Sequence, residues 1–363
     1  MLQKNPPEFK GKGIFVGFNK AGAAGIYSFT RILRRRGYRI DFYGLDWTPF
    51  NMPVDVLLKF SANPLASFLQ RIYVFFKILP RYEIWHFNYA TTFFFYPVNL
   101  LILKLCGKKI VCTFRGSEVL SGLDFMPSRS IINNVKFSWP EWYRTLVNLS
   151  FFIKFKMKLR IKVFRWLSDK IILTGPFLIS SVGKYDEIIP YGRDITQIQF
   201  NSLGKNQRKA LRILHAPSRD ETKGTDEVIK IFKKLSHEYP MHDFKILRAL
   251  PHEELVEEMA RADIVIDQLL VGWYGGQAVE AMALGKCVMS FINPVYLELM
   301  VFGRDLPIFN TNLWNLKNDL ETLIKSPALR QKLGERGLKF VKKFHSAQKI
   351  ASQYLDIYEH ACK

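Results

Sequence analysis

Along the chain, short apolar runs alternate with longer stretches whose apolar residues recur at helical spacing. In the first part, Gly13 to Phe18, Arg39 to Tyr43, Ile84 to Phe87, Lys109 to Phe114 and Lys170 to Leu173 read as short buried strands. In the second, Leu211 to Leu214, Phe244 to Ile246, Ile264 to Ile266 and Cys287 to Phe291 read the same way. Strands separated by helices imply parallel sheets, so the expected fold class is α/β. Periodicity gives way to turn residues between Ser180 and Arg208. That break predicts one domain over residues 1–190 and another over 191–344, with an amphipathic end at about Ala347 to Ala361. A chain of 363 residues is long enough for both, and no internal repeat appears.

Two stretches resist a simple assignment. From Ser150 to Leu167, lysines and arginines alternate with Phe155, Met157, Leu159, Ile161 and Val163, a strand-like period in a segment of helical length. Either geometry pairs a cationic surface with bulky apolar residues, including Trp166. An ordinary half-buried element with snorkelling lysines fits the same pattern. Ile84 to Leu103 lacks formal charge, but His86, Asn88, Pro97 and Asn99 interrupt it. No membrane-spanning segment is expected there.

Three segments carry candidate chemistry. Gly272 to Val288, GWYGGQAVEAMALGKCV, joins a glycine-rich turn to a helix start and places Glu280 just inside the helix. Gly275, Gly276 and Gln277 would let a phosphate approach the first helical N–H groups, with Glu280 on ribose hydroxyls. The same letters also describe a plain turn into a core helix. Residues 211–235 read as a strand, a polar loop ending in Lys223, Gly224 and Thr225, and a helix. Arg219 and Lys223 could neutralise a diphosphate there. Finally, Gly22 lies in a small-residue loop, Asn19 to Gly25, between the first strand and helix.

With these segments, the chain resembles GT-B glycosyltransferases of the retaining family 4 type, found in bacterial capsule, lipopolysaccharide and surface-glycan assembly. The resemblance rests on Lys223-Gly224 and on Glu280-Ala281-Met282-Ala283 with Gly285, in that order, and is strong over residues 211–292. It implies two Rossmann-like domains facing a cleft, with the last helix, 345–363, packed back on the first. It also favours a helix for residues 150–167. The implied reaction moves a sugar from a nucleotide-diphosphate sugar, which is a co-substrate, with no other cofactor and no metal. Arg219 and Lys223 would act on the diphosphate and His86 would assist near the cleft. Gly224, Gly275, Gly276, Gln277, Glu280 and Gly22 would bind the donor. Glu280→Ala and Lys223→Ala are expected to impair donor use with the fold intact.

The chain departs from the family pattern in three places. The first of the family's paired acids falls on Gly272, the usual arginine position is Ser218 with Arg219 beside it, and Arg115 stands where many members have a histidine. Asp267 is a candidate replacement for the missing acid, and Glu118 a further helper. An inactive GT-B scaffold that binds nucleotide sugar or glycan is therefore the alternative.

Charge adds a direction. Residues 1–190 hold 28 Lys plus Arg against 11 Asp plus Glu, whereas residues 191–363 hold 25 against 21. The excess lies in the half that binds the acceptor in GT-B enzymes. A glycan or lipid-linked acceptor at an anionic membrane would explain it. Nucleic acid is disfavoured, since no helix-turn-helix, zinc or RNA-binding motif accompanies the charge. The first residues lack the apolar run of a signal peptide, and the four cysteines show no metal-ligand spacing. The expected location is the cytoplasm, peripheral on the inner face of the cell membrane.

Overall fold

The computed structural model describes residues 11–17, 24–45, 54–88, 90–116, 155–194, 210–218 and 220–363. Two parallel sheets form. The first contains β1 (Ile14–Gly17), β2 (Ile40–Leu45), β3 (Val56–Leu58), β4 (Ile84–Asn88), β5 (Lys109–Phe114), β6 (Lys170–Leu173) and β7 (Glu187–Ile188), in the order β3-β2-β1-β4-β5-β6-β7. The second contains β8 (Arg212–His215), β9 (Asp243–Ile246), β10 (Ile264–Ile266), β11 (Cys287–Ser290) and β12 (Phe309–Asn310), in the order β12-β11-β10-β8-β9. The α/β class expected from the sequence is thus the observed one.

Register explains why the strands are apolar on both sides. Ile14 lies opposite Ile40 and Ile84, so these side chains share one face, where the helices Ala24–Arg35 and Ala347–Cys362 cover them. The next residues, Phe15 and Trp85, point to the opposite face, which the helices Pro64–Ile78, Tyr96–Leu105 and 155–167 cover. The helix over 155–167 settles the alternation in favour of a helix. Ile161, Phe164 and Leu167, at three-residue spacing, turn inward. The last helix docks by stacking Tyr354 on Phe29, with ring centroids 4.1 Å apart.

The second sheet repeats the plan. Ile213, Ile264 and Cys287 meet the helices Thr225–Glu238 and Leu316–Lys325. Leu214, Val265 and Val288 meet Gly276–Ala283 and Pro327–Phe344. Strands β3, β7 and β12 were not anticipated. They are two or three residues long and only partly buried, so they have neither an apolar run nor room for a two-residue period.

Candidate active site

Topology places the site before any side chain is considered. After β8 the chain passes into a helix on one face of the second sheet, and after β10 into a helix on the other. Since β8 and β10 are neighbours, their C-terminal ends bound a crevice of the kind in which open α/β sheets bind ligands. The glycine-rich turn and the Lys223 loop both open there.

Lys223 ends a single helical turn, Asp220–Lys223, and Gly224 follows in the left-handed region before the helix Thr225–Glu238. The lysine is nearly buried and pairs with Asp267, the residue after β10. The other oxygen of Asp267 accepts the Gly275 N–H at 2.6 Å. One fully buried carboxylate therefore ties the lysine loop to the glycine-rich turn. Below them His215 donates from Nδ1 to the Ile266 carbonyl at 3.0 Å, and its Nε2 accepts from Thr225 at 3.0 Å. Burial lowers its pKa to about 4, keeping it neutral as a prop for the loop.

Glu280 is held from two sides. Its Oε1 accepts from Arg193 Nε at 2.7 Å and from His252 Nε2 at 2.9 Å. Burial acts most strongly and would raise its pKa, but Arg193 and His252 together hold the carboxyl below the usual range. Arg193 comes from the segment between the sheets, where its backbone pairs with His345 and Ala347. Its guanidinium crosses Gly276, where an added Cβ would lie 2.4 Å from Nη2. A glycine there leaves the channel through which the arginine reaches the acid.

The helix Gly276–Ala283 has no side-chain cap among the described residues, so its first N–H groups have no side-chain acceptor there. Beside them, Gln277 Nε2 is buried with no hydrogen-bond partner among the described residues. Uncapped N–H groups, an orphan amide donor, Lys223 and Arg193 form a surface suited to a phosphorylated anion.

The structure gathers Lys223, Gly224, Gly275, Gly276, Gln277 and Glu280 at one crevice. It does not bring His86 there, and the expected assisting role is corrected. His86 lies under the first sheet, fully buried, with Nδ1 2.7 Å from the Tyr358 hydroxyl and Nε2 2.7 Å from that of Thr113. Burial, helped by Arg115, lowers its pKa to about 3, so it is a neutral packing residue. Arg219, Gly22 and Glu118 lie outside the described residues. Asp267 does not stand in for a free acid, because both its oxygens are engaged.

Gly272 has φ +77°, and a Cβ there would sit 3.3 Å from Asn293 Cβ. An acid at this position would therefore be strained and crowded in this turn. Arg115 is buried at the end of β5, with Nε donating to Asn88 at 3.1 Å. The expectation that Lys223→Ala leaves the fold intact also needs correction, since it would strand the buried Asp267.

Arg193 and His252 were missed. They lie 87 and 28 residues from Glu280 in sequence, outside any motif. The available signal was only an arginine next to Gly192 in the turn-rich break.

Residues 183–356 match a family model described as glycosyl transferase-like. No curated protein sequence matches the chain. Among solved structures, the sucrose-phosphate synthase of Thermosynechococcus elongatus superposes with a TM-score of 0.62 at 15% identity, covering 96% of this chain and 98% of that one. Anabaena HepE, in complex with UDP-glucose, gives 0.61 at 14%, covering 95% and 98%. A putative UDP-N-acetylglucosamine 2-epimerase of Listeria monocytogenes gives 0.54 at 12%, covering 95% and 94%. These likenesses agree with the two parallel sheets. The chain has the GT-B fold, and residues 183–356 of it match the glycosyl transferase-like family model.

Proposed function

We propose that the chain moves a sugar from a nucleotide-diphosphate sugar to a hydroxyl of a lipid-linked or surface-glycan acceptor, with retention of configuration and without a metal. The observation that carries the donor side is the uncapped start of Gly276–Ala283, with Gln277 Nε2 beside it and Lys223 and Arg193 on its flanks. The donor diphosphate would lie on those N–H groups and draw Lys223 away from Asp267. Glu280 would take the ribose hydroxyls in place of one present partner. The bond from the anomeric carbon to the diphosphate oxygen breaks as the acceptor oxygen bonds to that carbon. The acceptor proton passes to the leaving diphosphate, whose developing charge the cations stabilise.

That HepE was solved with UDP-glucose makes a uridine nucleotide the first donor to try. The basic first half supports an anionic acceptor or its surroundings. One specific feature favours the second reading, an inactive binding scaffold: the acid is absent at Gly272, where this turn would strain one. Thermal-shift titration with UDP, GDP, CMP and ADP and their sugar conjugates, repeated on Glu280→Gln, tests both. A shift with one nucleotide that vanishes in the variant, together with release of that nucleotide from its sugar, supports transfer. A shift without turnover supports the scaffold, and no shift with any nucleotide sinks the donor site.

A further inference from the structure

The outer helical layer of the first sheet is apolar on the side away from the core as well as on the side facing it. In Pro64–Ile78, Phe75 and Ile78 are buried, yet Leu65, Leu69, Tyr73 and Phe76 form a second stripe, with Leu65 68% exposed. Tyr96–Leu105 begins at exposed Phe95 and ends at Leu105, which is 87% exposed. The helix over 155–167 presents Phe155, Leu159 and Trp166, the last 76% exposed. The three are neighbours, since Phe68 meets Phe94 and Phe95, and Tyr96 stacks on Phe164. Contiguous exposed apolar surface of this kind marks an interaction face.

Charge identifies the partner. The three helices contain eight lysines and arginines and no aspartate or glutamate. Two copies of such a face would repel each other, whereas an anionic lipid surface would attract it. At its edge lies a recess of about 420 Å³ walled by Lys162, Arg165, Trp166 and Lys184. The two acids that line it are already committed. Asp169 accepts from the Ile110 N–H and Lys104, each at 2.7 Å, and Asp186 from the Ile171 N–H at 2.7 Å and Lys170 at 3.1 Å. Lys162, Arg165 and Lys184 have no acidic partner among the described residues, and the Ser168 hydroxyl lining the recess is buried without one. No helix among the described residues is long and apolar enough to cross a membrane.

We propose that this layer lies flat on an anionic phospholipid bilayer, its apolar stripes in the acyl boundary and a lipid phosphate in the recess between Lys162, Arg165 and Lys184. The proposal rests on the acceptor part of the reading above, not on the donor site. The test is co-sedimentation of the full chain with vesicles of phosphatidylcholine alone or mixed with phosphatidylglycerol, with the nucleotide thermal shift and sedimentation velocity run in parallel. Binding at least ten-fold tighter to the anionic vesicles is expected. Leu69→Glu with Tyr73→Glu should abolish it, and Lys162→Glu with Lys184→Glu should weaken it at least ten-fold, with the nucleotide shift unchanged. Leu105→Ser provides a milder variant should the double acid not fold.

Equal binding to both vesicles, or no loss in the folded variants, overturns the proposal. So does self-association that Leu69→Glu abolishes in a chain that ignores vesicles. Inorganic phosphate that shifts the wild type but not Lys162→Glu, without vesicle binding, would reduce the recess to a free-phosphate site and overturn it as well. Vesicle binding with no nucleotide shift would instead sink the donor reading alone.

Discussion

The two sheets are built on one topological plan and fill their crevices differently. In the second sheet, the ends of β8 and β10 gather Lys223, Asp267 and Gly275, while Glu280, Arg193 and His252 close the side. In the first sheet, the ends of β4 and β5 carry Asn88 and Arg115, and the buried polar residue beneath is the neutral His86. In the proposed reaction a pyrophosphate and a ribose would demand the same few groups whatever the sugar, which would make the second crevice charged and recognisable as a motif. The groups of the first would answer to an acceptor for which no fixed motif exists. Their outer layers differ too. The helix Thr225–Glu238 mixes acids with bases on its solvent face, whereas Pro64–Ile78, Tyr96–Leu105 and 155–167 carry cations and no acid.

The sharpest way to break this contrast is at Lys223. Lys223→Ala leaves Asp267 buried without its cation and should cost ~3–5 kcal/mol of stability, read by urea unfolding, as well as ~100-fold or more in turnover. Lys223→Met with Asp267→Asn should recover much of the stability and none of the turnover. If stability recovers and turnover stays with it, the lysine is a structural cation only.

Acid should strike both halves through their histidines. His86, His215 and His345 have pKa values lowered by burial from 6.5 to about 3, 4 and 4. Above pH 6.5 neither folded nor unfolded chain protonates them, so they cost nothing there. Below it the unfolded chain binds protons that the folded one refuses, and stability falls by ~1.4 kcal/mol per pH unit for each histidine until its folded pKa is reached. Glu280 adds a loss at lower pH, as its depressed carboxyl is finally protonated. Melting temperatures across pH 7 to 5 should drop steeply, and His345→Gln should flatten the curve. A flat wild-type curve would refute the neutral assignment.

Arg193 sharpens the comparison at the junction. Gly276→Ala should push the flexible guanidinium off Glu280, and Arg193→Ala should remove it. Each is expected to cost ~1.5–3 kcal/mol in stability or donor affinity by calorimetry. Equal effects would show that the ion pair, not the glycine's backbone, matters. The smallest effect belongs to the outer layer, where Tyr73→Ser should change stability by no more than ~0.5 kcal/mol because that side chain is 64% exposed.

How much of this was legible depends on distance along the chain. Strand–loop–helix units announce themselves within about thirty residues, so β8 with Lys223, and the turn with Glu280, were readable as chemistry. Asp267 was visible as an acid after a strand, but its pairing with Lys223 depends on β8 and β10 becoming neighbours. His252 reaches Glu280 only once the second sheet has folded, and Arg193 only once the segment between the sheets has docked. His86 misled because a histidine after an apolar run looks the same whether it faces a cleft or the underside of a sheet. Which face it took was decided by Tyr358, from the far end of the chain. In Pro64–Ile78, the stripe Leu65, Leu69, Tyr73 at helical spacing was present in the letters, but a helix apolar all round ordinarily reads as core.

The helix Ala347–Cys362 lies in the core of the first sheet, where Tyr354 and Tyr358 meet Phe29 and His86. During synthesis, therefore, the half that is translated first waits for a helix translated much later. Until it arrives, Ile14, Ile40, Ile84 and Val111 lack one of the helices that cover them, so the nascent first half exposes apolar surface of the kind that aggregates.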